Sequence, residues 1–227
     1  MATDQRRETI SPGRGADARQ RAICGLYAIA DSSCLRTATF LDGVDAALRA
    51  GARVIQYRDK QADPDGRERL ARSLVELCRR YTVPLIVNDD VDLARLVGAA
   101  GVHLGRDDPG PREARAILGS EAIVGVSCYN EFERAERAAE SGADYIAFGS
   151  MYPSRSKPAA VRASTDLLRR AKARLGVAVV AIGGITPDNS AALIEAGADA
   201  VAVIEGVFGQ ADICAAASAY ARLFACP

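Results

Sequence analysis

The feature of this sequence that most restricts its fold is a regular alternation of short apolar runs with longer segments of helical periodicity. Eight such strand–helix pairs follow one another between about residues 23 and 224, joined by connections of a few residues. Gly-Ala precedes three of the predicted strands, at Gly51-Ala52, Gly142-Ala143 and Gly197-Ala198, and such a pair ends a helix economically before a parallel strand. Eight βα units of this size predict an α/β fold, a single (β/α)8 TIM barrel with parallel strands.

The predicted strands lie at residues 23–30, 54–55, 84–87, 101–105, 122–126, 144–148, 177–182 and 200–204. The predicted helices lie at residues 38–50, 66–81, 91–99, 111–118, 131–141, 162–174, 187–196 and 212–224. A doubly wound open sheet is the alternative fold, although it usually has fewer strands. No Gly-x-Gly-x-x-Gly follows the first strand, which argues against dinucleotide binding.

Residues 1–21 mix charged residues, Gly and Pro without an apolar run, and we interpret them as a mobile, disordered N-terminal tail before a barrel domain at residues 22–227. Lys plus Arg equals Asp plus Glu, at 29 each, so no general basic field attracts nucleic acid or a membrane. The six cysteines form no Cys-x-x-Cys pair and the chain has one His, which excludes the usual zinc spacings and predicts reduced thiols. We therefore expect a cytoplasmic protein.

Polar side chains are expected to collect where the strands end, because ligands of α/β barrels bind at the carboxyl ends of the strands. Gln56, Arg58 and Lys60 alternate directly after the buried Val54-Ile55, so all three share one face of the strand. Two cations on one face suit an anion such as phosphate. A solvated strand end with scattered charge is the alternative interpretation.

Carboxylates at two neighbouring strand ends suggest a site for a hard divalent cation. Asp89 follows the third strand, and Asp107 and Asp108 follow the fourth. Magnesium binds between one or two carboxylates and substrate phosphates. The alternative is that Asp89 caps the helix beginning at Val91 and that Asp108 caps the helix near Pro111.

Two later loops carry groups suited to phosphate. Ser154, Ser156 and Lys157 follow the sixth strand, and the backbone amides of Gly183-Gly184 follow the seventh, where many barrels bind phosphate. A surface turn and a tight glycine turn are the alternatives.

Two residues with reactive side chains are interpreted as non-catalytic. His103 is expected to anchor its short strand by hydrogen bonding rather than to act as an acid or base. Cys128 has no neighbouring His in the sequence, so we do not expect a covalent nucleophile.

Taken in order, these motifs resemble the thiamine phosphate synthase family over about residues 26–209. The landmarks are Gln56-Tyr57-Arg58-Asp59-Lys60, Asn88-Asp89, Val91-Asp92-Leu93-Ala94, Gly101-Val102-His103-Leu104-Gly105, Asp108, Gly125-Val126-Ser127, Gly142-Ala143-Asp144-Tyr145, Pro153-Ser154-Arg155-Ser156-Lys157 and Ile182-Gly183-Gly184-Ile185-Thr186. The resemblance implies a transferase of thiamine biosynthesis that joins a hydroxymethylpyrimidine diphosphate to a thiazole phosphate and releases pyrophosphate.

The resemblance also implies a role for each matching residue. Mg²⁺ would be held by Asp89 and Asp108. The residues implied to bind substrate are Gln56, Arg58, Lys60, Asn88, Ser127, Ser154, Ser156, Lys157, Gly184, Ile204 and Glu205. Within that set, the residues implied to act in catalysis are Arg58, Lys60, Ser127 and Lys157.

The sequence departs from the family pattern at four positions. Ser154 and Ser156 stand where threonines are usual, which keeps the hydroxyl groups, and Asp90 replaces a common Arg. Glu205 stands where a serine is usual, near the expected phosphate. A carboxylate there repels phosphate, so we expect the Glu205 side chain to point away and only its backbone to serve the phosphate.

Two other functions are weighed against the synthase. A thiazole tautomerase of the same barrel family transfers a proton and has no use for a metal–diphosphate site. A non-catalytic sensor of a thiamine precursor would bind a ligand without turnover. For the synthase we expect small-molecule substrates as partners, no nucleic acid and no membrane, while the sequence leaves a homo-oligomer open.

Overall fold

The structure, a computed structural model, describes residues 14–153 and 161–224. Its strands are β1 Gly25–Asp31, β2 Val54–Arg58, β3 Leu85–Asn88, β4 Gly101–Leu104, β5 Ile123–Tyr129, β6 Tyr145–Phe148, β7 Ala178–Ile182 and β8 Ala200–Val203. Its helices are α1 Arg14–Arg21, α2 Phe40–Arg49, α3 Pro64–Arg80, α4 Val91–Val97, α5 Pro111–Leu118, α6 Phe132–Glu140, α7 Thr165–Arg174, α8 Pro187–Glu195, α9 Glu205–Phe208 and α10 Ile213–Ala221.

The eight strands form a closed parallel barrel in which each strand pairs with the next and β8 pairs with β1. Closure excludes the doubly wound open sheet and confirms the predicted TIM barrel. The short connections and the alternation of strand and helix produce this topology, because each helix returns the chain to the amino-terminal face of the barrel.

Alternate side chains of a strand point into the barrel or out towards the helices, as the two-residue period of a strand requires, and they form two separate apolar clusters. The inward-facing cluster fills the barrel and includes Tyr27, Ile29, Val54, Ile86, Ile123, Tyr145, Val180 and Ala202. The outward-facing side chains pack beneath the helices in a larger cluster. At the carboxyl ends the inward positions become polar, so the apolar interior opens into a polar face.

Side-chain caps fix where the helices that follow this face begin. Asp63 begins α3 by accepting a hydrogen bond from Gly66 N–H at 2.8 Å, and Pro64 occupies the first turn. Asp212 caps α10 in the same way through Ala215 N–H.

The amino-terminal face carries a helix that the sequence patterns did not predict. All of residues 1–21 were expected to form a tail, whereas Arg14–Arg21 form α1. Arg19 Nε donates to Asp144 Oδ1 at 2.9 Å, which joins α1 to the residue just before β6. This ion pair at the edge of the barrel gives the helix a tertiary partner that local composition does not reveal; residues 1–13 lie outside the described residues.

Other differences from the predicted elements are small. The strand β5 continues to Tyr129, beyond the predicted end at residue 126, and α9 is an additional helix after β8. The helix α7 begins at Thr165 rather than at residue 162, because the Ser164 side chain caps it. Throughout residues 14–153 and 161–224, each helix is too short or too polar to cross a lipid bilayer.

Candidate functional site

The cationic end of β2 lies beside the end of β1. Arg58 forms an ion pair with Asp31, to which it is aligned in the strand register. Burial alone would raise the pKa of Asp31, but hydrogen bonds from Ser33 and the Arg58 guanidinium outweigh it and lower the pKa. The carboxylate therefore stays ionised and holds the guanidinium at the carboxyl-terminal face.

The other cation of this strand end reaches across to β3. Lys60 Nζ lies 3.5 Å from Asp89 Oδ2, and the Lys60 side chain is 61% exposed. Asn88, the last residue of β3, is aligned with His103 of β4. The structure therefore brings the predicted residues Arg58, Lys60, Asn88 and Asp89 to one region of the carboxyl-terminal face.

The helix-cap alternative for Asp89 is wrong, because its neighbour makes the cap. Asp90 accepts the hydrogen bond from Leu93 N–H at 2.8 Å and also pairs with Arg67 at 2.8 Å. Asp89 instead has a positive φ of 63°, a strained conformation for a residue other than glycine. The Asp89 carboxylate lies beside Lys60 and near Gly105, at the strand ends, and does not cap α4.

The cap alternative for Asp108 is also wrong, since Gly110 is the N-cap of α5. Asp108 Oδ2 instead accepts a hydrogen bond from Gly105 N–H at 2.6 Å. A Cβ added to Gly105 would lie 3.2 Å from Asp108 Oδ2 and 3.9 Å from Asp89 Oδ1, so the two carboxylates converge above this glycine. Asp107, the other candidate, is exposed.

The Asp89 and Asp108 carboxylates are close enough to interact electrostatically. Partial burial and the neighbouring Asp89 carboxylate raise the pKa of Asp108, against the lowering effect of the Gly105 N–H. No cluster of three or more metal-ligating His, Cys, Asp or Glu side chains occurs in the described parts of the chain. Mg²⁺ is usually bound by one or two carboxylates, and water and phosphate oxygens fill its remaining coordination positions. Two neighbouring carboxylates match that pattern.

Below the carboxyl-terminal face, polar side chains from five strands form one hydrogen-bonded chain through the barrel interior. Gln56 Nε2 donates to Tyr27 Oη at 2.8 Å, and Tyr27 Oη lies 2.7 Å from Tyr145 Oη. Tyr145 Oη lies 3.0 Å from His103 Nδ1, and His103 Nε2 lies 2.9 Å from Ser127 Oγ. His103 is thus anchored by hydrogen bonds, and the chain connects the predicted residues Gln56 and Ser127.

Arg134 of α6 fixes the backbone around Ser127. Its Nε donates to the Ser127 carbonyl oxygen at 2.7 Å, and its second guanidinium nitrogen donates to the Gly105 carbonyl oxygen at 2.7 Å. One side chain thereby ties the end of β5 to the loop that holds Asp108.

Cys128 takes no part in this site. It is fully buried in the outward-facing core, and burial raises the pKa of its thiol to about 12. A thiol that stays protonated is a poor nucleophile, which agrees with the interpretation made from the sequence.

The glycine pair after β7 lies under the segment that follows β6. Gly183 and Gly184 have φ values of 102° and 64°. A Cβ on Gly183 would lie 2.2 Å from Ser150 Oγ, and one on Gly184 would lie 2.3 Å from the Pro153 carbonyl oxygen. Glycine is therefore required by the close approach of this segment, and Gly184 N–H donates to no other described residue.

Ser154, Ser156 and Lys157 lie outside the described residues, so their predicted contacts stay predictions. At the end of β8, Ile204 is half-buried and Glu205 is exposed as the first residue of α9. Within residues 14–153 and 161–224, Glu205 forms no ion pair. The side chain therefore has no described cation that would offset a nearby phosphate.

Several residues of this site were not selected from the sequence. Asp31 ends the first strand and Tyr27 and Tyr145 face inward on their strands, so strand periodicity is the signal that could have found them. Arg134 lies on a helix, and the sequence carries no sign that it reaches two strand ends.

The chain is similar to proteins of one family. The family described as thiamine monophosphate synthase matches residues 26–207. A thiamine-phosphate synthase of an Azoarcus species is 56% identical over 203 residues, which cover 89% of this chain and 98% of that protein. One from Nitrosococcus oceani is 52% identical over 203 residues, covering 89% and 94%. The structure of a thiamine phosphate pyrophosphorylase from Pyrococcus furiosus has a TM-score of 0.80 and 32% identity, covering 91% of this chain and 96% of that one.

Proposed function

The chain belongs to the thiamine monophosphate synthase family, and from that premise we propose its substrates and the way its residues act on them. The proposed reaction joins 4-amino-2-methyl-5-hydroxymethylpyrimidine diphosphate to 4-methyl-5-(2-phosphoethyl)thiazole. The products are thiamine phosphate and pyrophosphate. Its transferase class follows from the family, and the substrates and mechanism are the proposal.

The observation that carries the proposal is the meeting of two cations and two carboxylates at one edge of the barrel. Arg58 and Lys60 suit the diphosphate oxygens, whereas Asp89 and Asp108 would repel them without a cation between. We propose Asp89 and Asp108 as the ligands of Mg²⁺. A bound Mg²⁺ would neutralise charge on the diphosphate and favour its departure.

The proposed mechanism needs no nucleophilic side chain. The bond between the pyrimidine methylene carbon and the diphosphate oxygen breaks, and its electron pair leaves with pyrophosphate. The electron-rich aminopyrimidine stabilises the resulting cation, and the thiazole nitrogen then donates its electron pair to the methylene carbon. Orientation of the two rings and stabilisation of the leaving charge are the tasks left to the protein.

Each side chain has a defined part in that scheme. Arg58, Lys60 and Asn88, together with Lys157, are proposed to hold the diphosphate as its charge increases. Gln56 and Ser127 are proposed to contact the pyrimidine half, with Ser127 also near the leaving group.

A second group of residues is proposed to receive the thiazole phosphate. This group comprises Ser154, Ser156, the Gly184 amide and the backbone at Ile204 and Glu205. Support for it comes from the Gly184 amide, which has no described protein acceptor, and from the position of α9 directly after β8.

A single assay tests the proposed reaction. The protein is supplied with both phosphorylated halves and Mg²⁺, and pyrophosphate release is measured alongside thiamine phosphate. We expect both products in equal amounts, and only when both halves are present. A tautomerase would change the thiazole without releasing pyrophosphate, and a sensor would bind a precursor without turnover.

Lys60→Met should weaken binding of the pyrimidine diphosphate more than binding of the monophosphate. The substitution keeps the length of the side chain and removes a charge that is largely exposed, so the fold should survive. Binding of both compounds is measured by calorimetry. We expect a loss of about tenfold for the diphosphate, equivalent to roughly 1.4 kcal/mol.

Lys172→Met is the matched control, because Lys172 pairs with Asp199 at the start of β8, away from the site. It removes the same charge and should leave both affinities unchanged. Equal losses for diphosphate and monophosphate in Lys60→Met would show that Lys60 does not contact the terminal phosphate.

Glu205→Ser should leave the affinity for the thiazole phosphate within a few-fold. The Glu205 side chain is exposed, and only its backbone is proposed to face the phosphate. A carboxylate and a phosphate in contact repel by about 1 kcal/mol or more for each charge pair. Tenfold tighter binding in the variant would show that the carboxylate does face the phosphate.

A further inference from the structure

In the hydrogen-bonded chain through the barrel interior, the donor and acceptor of each bond can be assigned in turn, beginning with the Gln56 amide. The Gln56 amide donates to Tyr27 Oη, so the Tyr27 hydroxyl proton is directed to the other partner of that oxygen, Tyr145 Oη. The Tyr145 proton is in turn directed to His103 Nδ1. A neutral imidazole that accepts at Nδ1 carries its proton on Nε2, where it donates to Ser127 Oγ.

The surroundings hold these groups in place. Tyr27 and Tyr145 are almost completely buried, and burial raises the pKa of both hydroxyls, so both remain donors. A Cβ on Gly125 would lie 1.9 Å from the Tyr145 ring, which shows how closely β5 supports that ring. The His103 ring stacks on Tyr145 with centroids 5.6 Å apart and an interplanar angle of 21°.

We propose that His103 is a positioning residue, which Tyr145 holds as the Nε2–H tautomer so that the Ser127 hydroxyl proton is directed to the substrate. The His103 N–H occupies an acceptor position of Ser127 Oγ, and the serine proton has to find another acceptor. Arg134 already fixes the Ser127 backbone. Together the two contacts define both the position and the donor role of this hydroxyl.

The proposal rests on the proposed function for the identity of that acceptor, an oxygen of the departing diphosphate. Charge increases on this oxygen as the bond to the pyrimidine breaks, so a fixed donor is more strongly bound in the transition state than in the ground state. A serine whose proton could rotate to His103 would lose that advantage.

The test uses the fact that the chain contains one histidine. Protein labelled with ¹⁵N in the imidazole gives the tautomer directly from two-bond ¹H–¹⁵N spectra, recorded at pH 8 to 9, where an ordinary imidazole is neutral. We expect the wild type to show a protonated Nε2 and a bare Nδ1. A protonated Nδ1 in the wild type would overturn the proposal without any variant being made.

Two tyrosine variants distinguish the effect of the hydrogen bond to His103 from the effect of losing any buried hydroxyl. Tyr145→Phe removes the donor to His103 Nδ1, and the two ¹⁵N shifts should move towards a mixture of tautomers. Tyr27→Phe removes an equally buried hydroxyl but leaves Tyr145 with His103 as its acceptor, so the tautomer should stay as in the wild type. An unchanged tautomer in Tyr145→Phe would overturn the proposal.

Kinetic measurements test whether the tautomer affects the reaction. Tyr145→Phe should lower kcat for pyrophosphate release by about tenfold, as expected for one misdirected hydrogen bond, while KM for the thiazole phosphate stays unchanged. Ser127→Ala should lose at least as much and Ser127→Thr should recover most of it, because threonine keeps the hydroxyl. An unchanged kcat in Tyr145→Phe with an altered tautomer would contradict the role of His103.

The experiments distinguish failure of the proposed function from failure of the positioning role of His103. If the wild type releases no pyrophosphate from the two halves, the proposed function fails, whereas the tautomer is read from the spectrum of the protein alone. If pyrophosphate is released but the wild-type imidazole carries its proton on Nδ1, the function stands and the positioning role is excluded.

Discussion

Asp89→Asn is expected to lower kcat by about 10²- to 10³-fold while it changes KM for the thiazole phosphate only slightly. Asp89 lies beside Lys60 and converges with Asp108 above Gly105, where a cation would meet the departing pyrophosphate. Loss of an interaction that strengthens in the transition state lowers kcat rather than ground-state binding. The measurement is pyrophosphate release at saturating substrates over a series of Mg²⁺ concentrations.

Asp90→Asn is the matched control for this variant. Asp90 is the adjacent acid, but it caps α4 and pairs with Arg67, and asparagine keeps the cap. We expect kcat within a few-fold of the wild type and a small loss of stability. If Asp89→Asn behaved in the same way at saturating Mg²⁺, Asp89 would have no part in the reaction.

Asp144→Ala is expected to lower the free energy of unfolding by about 3–5 kcal/mol, the usual effect of removing one partner of a buried ion pair. Asp144 is 2% exposed and bonds Arg19 at 2.9 Å, Arg115 at 2.7 Å and Val124 N–H at 2.8 Å. The variant removes the carboxylate that pairs with two guanidinium groups and leaves the buried Val124 N–H without its acceptor. Urea unfolding followed by circular dichroism measures the change.

Asp199 provides an internal comparison, because it occupies the equivalent place before β8. It accepts a hydrogen bond from Val179 N–H at 2.8 Å and pairs with Lys172 at 2.6 Å, but its side chain is 27% exposed. Asp199→Ala should therefore lower the free energy of unfolding by only about 1–2 kcal/mol. Equal losses in the two variants would show that burial does not set the cost of removing these carboxylates.

These two aspartates show why the barrel could be predicted from the sequence. Gly142-Ala143-Asp144 and Gly197-Ala198-Asp199 are local signals that end a helix, begin a strand and bond the start of the preceding strand. The alternation of strand and helix can be predicted from such local signals without knowing which distant residues are in contact. The number and order of the strands were accordingly predicted correctly.

The choice between neighbouring acids could not be made from the sequence. Asp89 and Asp90 are both plausible caps of the helix at Val91, and a positive φ at Asp89 decides which carboxylate faces the site. With that torsion, Asp89 N–H donates to the His103 carbonyl oxygen at 2.8 Å, a contact between two strands that local sequence patterns do not show.

Local sequence patterns also could not predict the contacts that form only when the barrel closes. Arg58 pairs with Asp31 because β1 and β2 are in register, and Tyr27 meets Tyr145 across the interior although 118 residues separate them. Inward or outward orientation follows from strand periodicity, but the identity of the facing residue depends on the stagger between strands. Site residues on single strands were therefore predictable, and their partners were not.

The anchoring of α1 to Asp144 has a practical consequence for handling the protein. Arg14–Arg21 are tied to the amino-terminal face, whereas Arg58, Lys60, Asp89 and Asp108 lie at the carboxyl ends of the strands. A carrier or solid support joined ahead of residue 14 would therefore be attached on the side of the barrel that faces away from these residues. Small molecules could then reach the opening of an immobilised barrel without passing the support.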